Sequence, residues 1–409
     1  MLGALSQVYE EPRNLNEVKR SPDRIHWEAA MRREFASLQL NGTFTPALPG
    51  SNSKPLSSKW VFKRKNGPSG LEYKARLVVR GFAQEKGRDY DDTYASVAKT
   101  ATLRLLIAIA AKLGLKMHHM DVTTAFLNPA IDRQDIFVRL PKGTDDLILE
   151  LDIPTIVRLL KALYGLKQSP YLWHNEITAF LLLIGMTQSQ RDPNLFFGRG
   201  VLLLLYVDDF FILDLGIPGM LDNLKKRLMD KYRIKDLGEA KIFLGLELNA
   251  LPNGDVHLGQ MDYIKKILNR YKMDNCKPVS SPMCTTIDLD NPACEDKLLK
   301  ELDKNRYQSM VGALMYASLG SRPDISFAVA KLCRYNSRPT TTHMMAARRV
   351  FKYLQGSIDT GVVYSGPNTA AVHPVIDDDD KYARWLVNKS RKEAIPLMGF
   401  TDSDWGGCL

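Results

Sequence analysis

The segment VLLLLYVDDFFIL, residues 201–213, limits what this chain can fold into more than any other stretch. Two apolar runs meet at Asp208 and Asp209, and the neighbours Tyr206, Phe210 and Phe211 are themselves largely apolar. Simply burying two adjacent carboxylates is expensive, because each needs a partner and the two repel. The economical arrangement is a β-hairpin with both acids at its tip, facing a cation. The alternative is an ordinary hairpin with Asp in its turn. Such turns favour Asn-Gly or Asp-Gly over an acid pair set between aromatics. The run is too short for a membrane span and carries two central acids.

A second buried-looking acid, Asp121, ends an apolar stretch in MHHMDVTTAFLN. A third carboxylate from a separate strand is what a two-metal site at the hairpin still lacks. Magnesium takes hard oxygen ligands and keeps places for water and substrate phosphate. Two such ions about 3.5–4 Å apart stabilise both the attacking and the leaving oxygens of a phosphoryl transfer. A helix cap or a salt bridge would equally use an Asp here. His118 and His119 precede it without a Cys or His at metal-ligand spacing, so they read as structural.

The remaining sequence sets the frame. At 409 residues, two or three subdomains are expected. Lys plus Arg is 56 against 46 for Asp plus Glu, a net charge of +10 that suits a polyanionic partner. The five cysteines are scattered with no C-x-x-C pair, which reads as free thiols in a reducing compartment. The amino end carries no secretory leader pattern, and no P-loop motif is present. Trp27, Met31, Phe35 and Leu38 recur at helical spacing before Gly42. Residues 56–82 predict basic strands around the turn-forming NGPSG (66–70). Helices are expected over 103–115, 221–233 and 261–272, with a helix pair over 305–356. Residues 365–396 read as irregular and polar.

The segments KWVFKRK (59–65), KARLVVRGFAQEKGRDYDDTY (74–94), MDVTTAFLN (120–128), LLKALYGLKQSPYLW (159–173), LYVDDFFIL (205–213), FLGLEL (243–248), YQSMVGALMYASLGSRPDISFAV (307–329) and GFTDSDW (399–405) carry a resemblance. In order, and from about Trp27 to Trp405, they resemble the reverse transcriptase of copia-type LTR retrotransposons. The resemblance implies an α+β right-hand polymerase with an RRM-like antiparallel palm sheet. Its parts would be an amino-terminal extension (1–42), fingers and palm (43–250), a thumb with following helices (251–340), a connection segment (341–396) and a truncated RNase H start (397–409). Asp121, Asp208 and Asp209 would be the catalytic residues and ligands of two Mg²⁺ ions, with Mn²⁺ as substitute. Lys63 or Lys65, with Arg76, resemble the clamp on the incoming dNTP, for which the planar Arg fork is suited. Phe126 resembles the aromatic that excludes a ribose 2′-hydroxyl.

By the same resemblance, Tyr164, Gly165, Lys167 and Gln168 would belong to the segment under the templating pair, Gln168 on the dNTP side. Leu244 and Gly245 resemble the primer-grip hairpin, and Lys265, Lys266 and Arg270 a helix riding the duplex. Asp402 would be an RNase H metal ligand, in a segment expected to be too short to form that domain. The implied partners are an RNA template, a DNA primer, the RNA–DNA hybrid and dNTPs, without a membrane and with a homodimer left open. The implied location is the cytoplasm, in the element's virus-like particle, with the nucleus as a second address and secretion excluded. Tyr171 stands where Arg follows KQSP in the family, and LNP (127–129) where LNG is usual. Two other classes compete with an active polymerase. One is a silent relic that folds and binds nucleic acid. The other is an RRM-like RNA-binding module, which calls for exposed aromatics on its sheet instead of acids at a hairpin tip.

Overall fold

The structure, a computed structural model, describes residues 11–47, 54–67, 70–142, 153–284, 286–290 and 296–367. The stretch GFTDSDW with Asp402 lies outside them. Helices α1 (Leu15–Arg20) and α2 (Arg24–Leu40) lead into β1 (Phe44–Pro46) and the long hairpin of β2 (Leu56–Gly67) and β3 (Gly70–Val79). Helix α3 (Thr100–Leu113), stopped by Gly114 in the left-handed region, precedes β4 (Lys116–Val122). Short strands β5 (Phe137–Arg139) and β6 (Ile156–Leu159) follow, then α4 (Ser169–Leu183) with Pro170 in its first turn. Strands β7 (Thr187–Gln188), β8 (Leu195–Gly198), β9 (Val201–Tyr206) and β10 (Asp209–Asp214) run on to α5 (Met220–Lys231) and β11 (Ile234–Glu239).

The last described part holds β12 (Ile242–Phe243), β13 (Leu246–Ala250), β14 (Val256–Gly259), α6 (Met261–Arg270), α7 (Glu301–Gly320), α8 (Ser326–Cys333), α9 (Thr341–Gln355) and β15 (Val362–Tyr364). The fold is therefore mixed α+β. Three sheets are formed, in the orders β1-β6-β5-β2-β3, β11-β4-β10-β9-β8-β7 and β12-β13-β14-β15.

The central sheet explains the unbroken apolar runs of 201–213. Phe210 and Ile212 pack on one face with α4 and α5, while Phe211 and Leu213 pack on the other with α3 and the third sheet. All four are fully buried, and burying each contributes roughly 1.5–3 kcal/mol. A strand covered on both faces cannot alternate, because either parity must be apolar.

Two sequence expectations change here. In place of a helix pair over 305–356 there are three helices, α7, α8 and α9. Pro323 and Pro339 lack the N–H that a continuous helix needs at those corners. Wholly buried Arg322 ties the first corner down, through Nη2 to Asp324 Oδ2 (2.7 Å) and Nη1 to Ser357 O (2.7 Å). The second change concerns boundaries. Helices α6 to α9 share one core, so α9, expected beyond a boundary at 340/341, packs with the helices before it.

Candidate active site

Strands β9 and β10 are joined by the two-residue turn Val207–Asp208, with Asp209 opposite Tyr206. Val207 takes φ +58°, a left-handed conformation that is strained for a β-branched residue by about 1–2 kcal/mol. Two hydrogen bonds hold it there. The buried indole of Trp173 on α4 donates to Val207 O (2.6 Å), and Val122 N–H donates to Asp208 O (2.8 Å). On its other side β10 pairs with β4, which sets Asp121 opposite Asp209. Three carboxylates from two hairpin-linked strands and a distant third strand thus gather at one end of the central sheet.

Asp121 and Asp208 line a cleft of about 370 Å³ whose opposite wall carries Lys65, Lys74 and Arg76 from the β2–β3 hairpin. Among the described residues neither carboxylate forms an ion pair. Burial, and then the adjoining Asp209 and Asp121, push the Asp208 carboxyl above its ordinary value, with Arg76 opposing them. Asp209 does not line the cleft. Its Oδ1 accepts a hydrogen bond from His119 Nε2 at 2.8 Å, so His119, read from sequence as structural, holds one of the three acids. His118, by contrast, faces Lys225 (Nδ1 to Nζ, 3.3 Å), and burial followed by that cation depresses its pKa.

Among the described residues no three Asp, Glu, His or Cys side chains converge as a ready-made metal cluster. The donors still fit magnesium. That ion binds through one or two carboxylates and completes its shell with water and substrate phosphate, and two half-buried carboxylates without ion-pair partners are that donor set.

The basic wall separates two lysines of one strand. Lys65 lines the cleft, whereas Lys63 is engaged by Glu11 at 2.6 Å and does not. The Arg76 guanidinium stacks over the Tyr164 ring at 4.9 Å, and burial raises the Tyr164 hydroxyl to about 12. Phe126 meets Tyr164 edge-on at 5.4 Å, beside the cleft and half-buried against the central core. Gly165, at φ +90°, is there for close approach. A Cβ would sit 2.1 Å from Val79 O, which is impossible without moving the strand that carries Arg76.

Gln168 departs from its expected role facing the nucleotide. It is fully buried, accepting from Gln84 Nε2 (2.9 Å) and donating to Asp89 O (2.9 Å), and it does not line the cleft. Lys167 is drawn into the same assembly through Gln84 O (3.1 Å) and the Tyr90 ring (4.9 Å). Leu244 and Gly245 form the turn between β12 and β13. Lys265, Lys266 and Arg270 lie on the solvent side of α6, whose other face buries Ile264, Ile267 and Leu268.

The cleft also contains residues that the sequence did not flag: Glu34, Thr123, Thr124, Arg233 and Lys235. Glu34 accepts from Leu77 N–H (3.2 Å), and burial raises its carboxyl to about 7 against that bond and Arg76. Nothing in the helical pattern of α2 sets Glu34 apart from its other polar positions. Lys235 arrives because β11 pairs with β4, opposite Asp121, which local pattern does not reveal.

Carboxylates facing a basic wall across an open cleft have the chemistry to take phosphate esters and divalent ions. The family model described as reverse transcriptase (RNA-dependent DNA polymerase) matches residues 41–285. The chain belongs to that family, and it corresponds to the reverse transcriptase region of copia-type Pol polyproteins. It is 35% identical over 366 residues to the retrovirus-related Pol polyprotein from transposon TNT 1-94 of Nicotiana tabacum, covering 87% of this chain and 27% of that protein. It is 34% identical over 361 residues to the corresponding polyprotein from transposon RE1 of Arabidopsis thaliana, covering 86% and 24%. To the transposon Ty1-BL Gag-Pol polyprotein of Saccharomyces cerevisiae it is 23% identical over 371 residues, covering 84% and 20%. The chain thus spans about a quarter of the length of the two plant relatives. Among the described residues no helix is long and apolar enough to cross a membrane.

Proposed function

We propose that this chain is an RNA- and DNA-directed DNA polymerase that adds nucleotides to a primer 3′-hydroxyl by two-metal nucleotidyl transfer. The observation that supports this best is the pairing of Asp121 and Asp208, from separate strands, across one cleft from Arg76 and Lys65. Divalent ions, Mg²⁺ or in its place Mn²⁺, supply Lewis-acid activation of the attacking hydroxyl and charge neutralisation at the leaving pyrophosphate when bound. Asp121, Asp208 and Asp209 hold them, with Asp209 oriented by His119. Arg76 and Lys65 grip the triphosphate, Arg76 in a fixed plane because Tyr164 carries it. Phe126, behind Tyr164, closes the space a ribose 2′-hydroxyl would need. Catalysis of this type is positioning and electrostatics, without a covalent enzyme intermediate.

In this reading β2–β3 belongs to the fingers, the central sheet is the palm, and α6 to α9 form the thumb. The Leu244–Gly245 turn supports the primer terminus. Lys265, Lys266 and Arg270 follow the phosphates of the hybrid, and the Tyr164–Lys167 segment lies under the templating pair. The substrates are an RNA template, a DNA primer and dNTPs, met in the cytoplasmic particle of the element.

The test is extension of an oligo(dT) primer on poly(rA) by the purified chain with Mg²⁺. Template-dependent extension that stops on chelation is expected. Tight primer–template binding with no extension under either Mg²⁺ or Mn²⁺ would replace this reading with that of a silent relic.

A further inference from the structure

The turn between β12 and β13 has a conformation its own sequence does not favour. Phe243 pairs with Leu246, which leaves Leu244 and Gly245 as the two central residues. Both are left-handed, at φ +51° and +76°. Two-residue turns with both φ values positive are the province of Asn-Gly, and a leucine there costs roughly 1–2 kcal/mol. Something outside the hairpin must hold it. Tyr316, on the last turns of α7, donates its hydroxyl to Leu244 O at 2.9 Å. The same hydroxyl closes over Gly245, where a Cβ would meet Tyr316 Oη at 2.7 Å.

The hairpin in turn touches the acid-bearing strands. Phe243 is buried against Phe211 of β10 (5.1 Å between rings) and against His119 of β4 (5.2 Å). His119 is the residue bonded to Asp209. Tyr316 and Tyr206, the residue before the acidic turn, also line one apolar cavity of about 230 Å³. Helix α7 is anchored close by, since Arg104 of α3 donates to Gly320 O (2.6 Å) and Leu319 O (2.9 Å).

We infer that Tyr316 is a positioning residue for nucleotidyl transfer: its hydroxyl fixes the Leu244–Gly245 turn and, through Phe243 and His119, the placement of the primer end against the acidic hairpin. The inference rests on the polymerase reading above. It is separable from a general packing role because the molecule contains a matched control. Tyr263 on α6 meets Tyr316 edge-on (4.6 Å) and donates its hydroxyl to Ala313 O (3.0 Å), so that its hydroxyl joins α6 to α7 and not to the hairpin.

The experiment compares wild type, Tyr316→Phe and Tyr263→Phe in single-turnover extension, primer–template affinity and thermal midpoint. Loss of one neutral hydrogen bond corresponds to about a two- to tenfold effect. Tyr316→Phe is expected to slow extension by about that factor while nucleotide KM and primer–template Kd stay near wild type. Tyr263→Phe is expected to lower the thermal midpoint as much or more and to leave the extension rate unchanged. Gly245→Ala should also slow extension, and in the Tyr316→Phe background its loss should be smaller than the sum, since the hydroxyl it meets is gone. Equal rate losses in the two tyrosine variants would mean generic packing and overturn the inference. So would an unchanged rate in Tyr316→Phe with an active wild type. A wild type that extends no primer removes the polymerase reading and this inference with it.

Discussion

The two hairpins that face each other across the cleft are built on opposite logic. Strands β2 and β3 pair from Ser58–Val79 to Gly67–Gly70, and the sequence between them, NGPSG, is composed of turn formers. Most of their basic residues stand towards solvent or the cleft, while Arg64 turns inward onto Trp27 and Tyr73 and pairs with Asp23. Strands β9 and β10 are buried on both faces and turn at Val207–Asp208, a pair that no turn preference would select. The first hairpin follows local chemistry. The second is forced into shape by its surroundings, with Trp173 and Val122 holding the carbonyls of a strained turn. Local rules fail where the chain must present acids at a fixed point, and the core built around that point supplies the difference.

The contrast can be broken most severely at the acid tip. Asp208→Asn or Asp121→Asn keeps the shape and removes the charge. Polymerisation should fall by about 10³ or more while primer–template binding survives, as measured by extension and by filter binding. Near-normal extension by either variant would sink the two-metal assignment.

Next comes the support of the strained turn. Trp173→Phe removes the donor to Val207 O and opens a void in the central core, so stability should drop by about 3 kcal/mol in urea titration. The extension rate should fall with it, because the acids ride on that turn. Full activity with the turn's donor gone would show that the turn holds itself.

The opposite hairpin should behave differently. Arg76→Lys retains charge but loses the planar fork and its stacking on Tyr164. A ten- to fiftyfold loss in kcat/KM for dNTP is expected, with the unfolding midpoint almost unmoved because the side chain is exposed. A stability loss as large as that of Trp173→Phe would erase the distinction between the hairpins.

The smallest effect concerns Glu34, whose carboxyl is pushed by burial from an ordinary 4.5 up to about 7. Burial favours its protonated form. The stability it contributes is therefore full below pH about 4.5 and is lost as pH rises through about 7. Glu34→Gln should match wild type near pH 5 and exceed it at pH 8, by on the order of 1 kcal/mol. Equal stability gains at both pH values would place the carboxyl outside the buried site.

Much of the site was legible because it violates ordinary composition. Acids inside apolar strands stand out, and so the hairpin tip drew notice from pattern alone, whereas Asp121 by itself read equally as a helix cap or a salt-bridge partner. The helical repeat of Trp27, Met31, Phe35 and Leu38 likewise gave α2, since a buried helix face needs no tertiary information to be recognised. Other choices were invisible at that level. Lys63 and Lys65 share one strand parity, so only the ion pair with Glu11 separates the one held away from the one in the cleft. Gln168 sits in a motif of functional appearance yet is used wholly inside the protein.

The sequence by itself determined the acidic hairpin, because two acids between apolar runs are a local matter of burial and period, while the α+β class and the segment that holds Gly165 followed from its resemblance to a family. Only the tertiary structure decided that β11 lays Lys235 beside Asp121, that Glu34 enters the cleft, and that Tyr316 closes on Leu244. Those pairings join residues far apart in the chain. Their energies come from the packing and hydrogen bonds that form once the elements meet, and no neighbouring residue in the sequence encodes them.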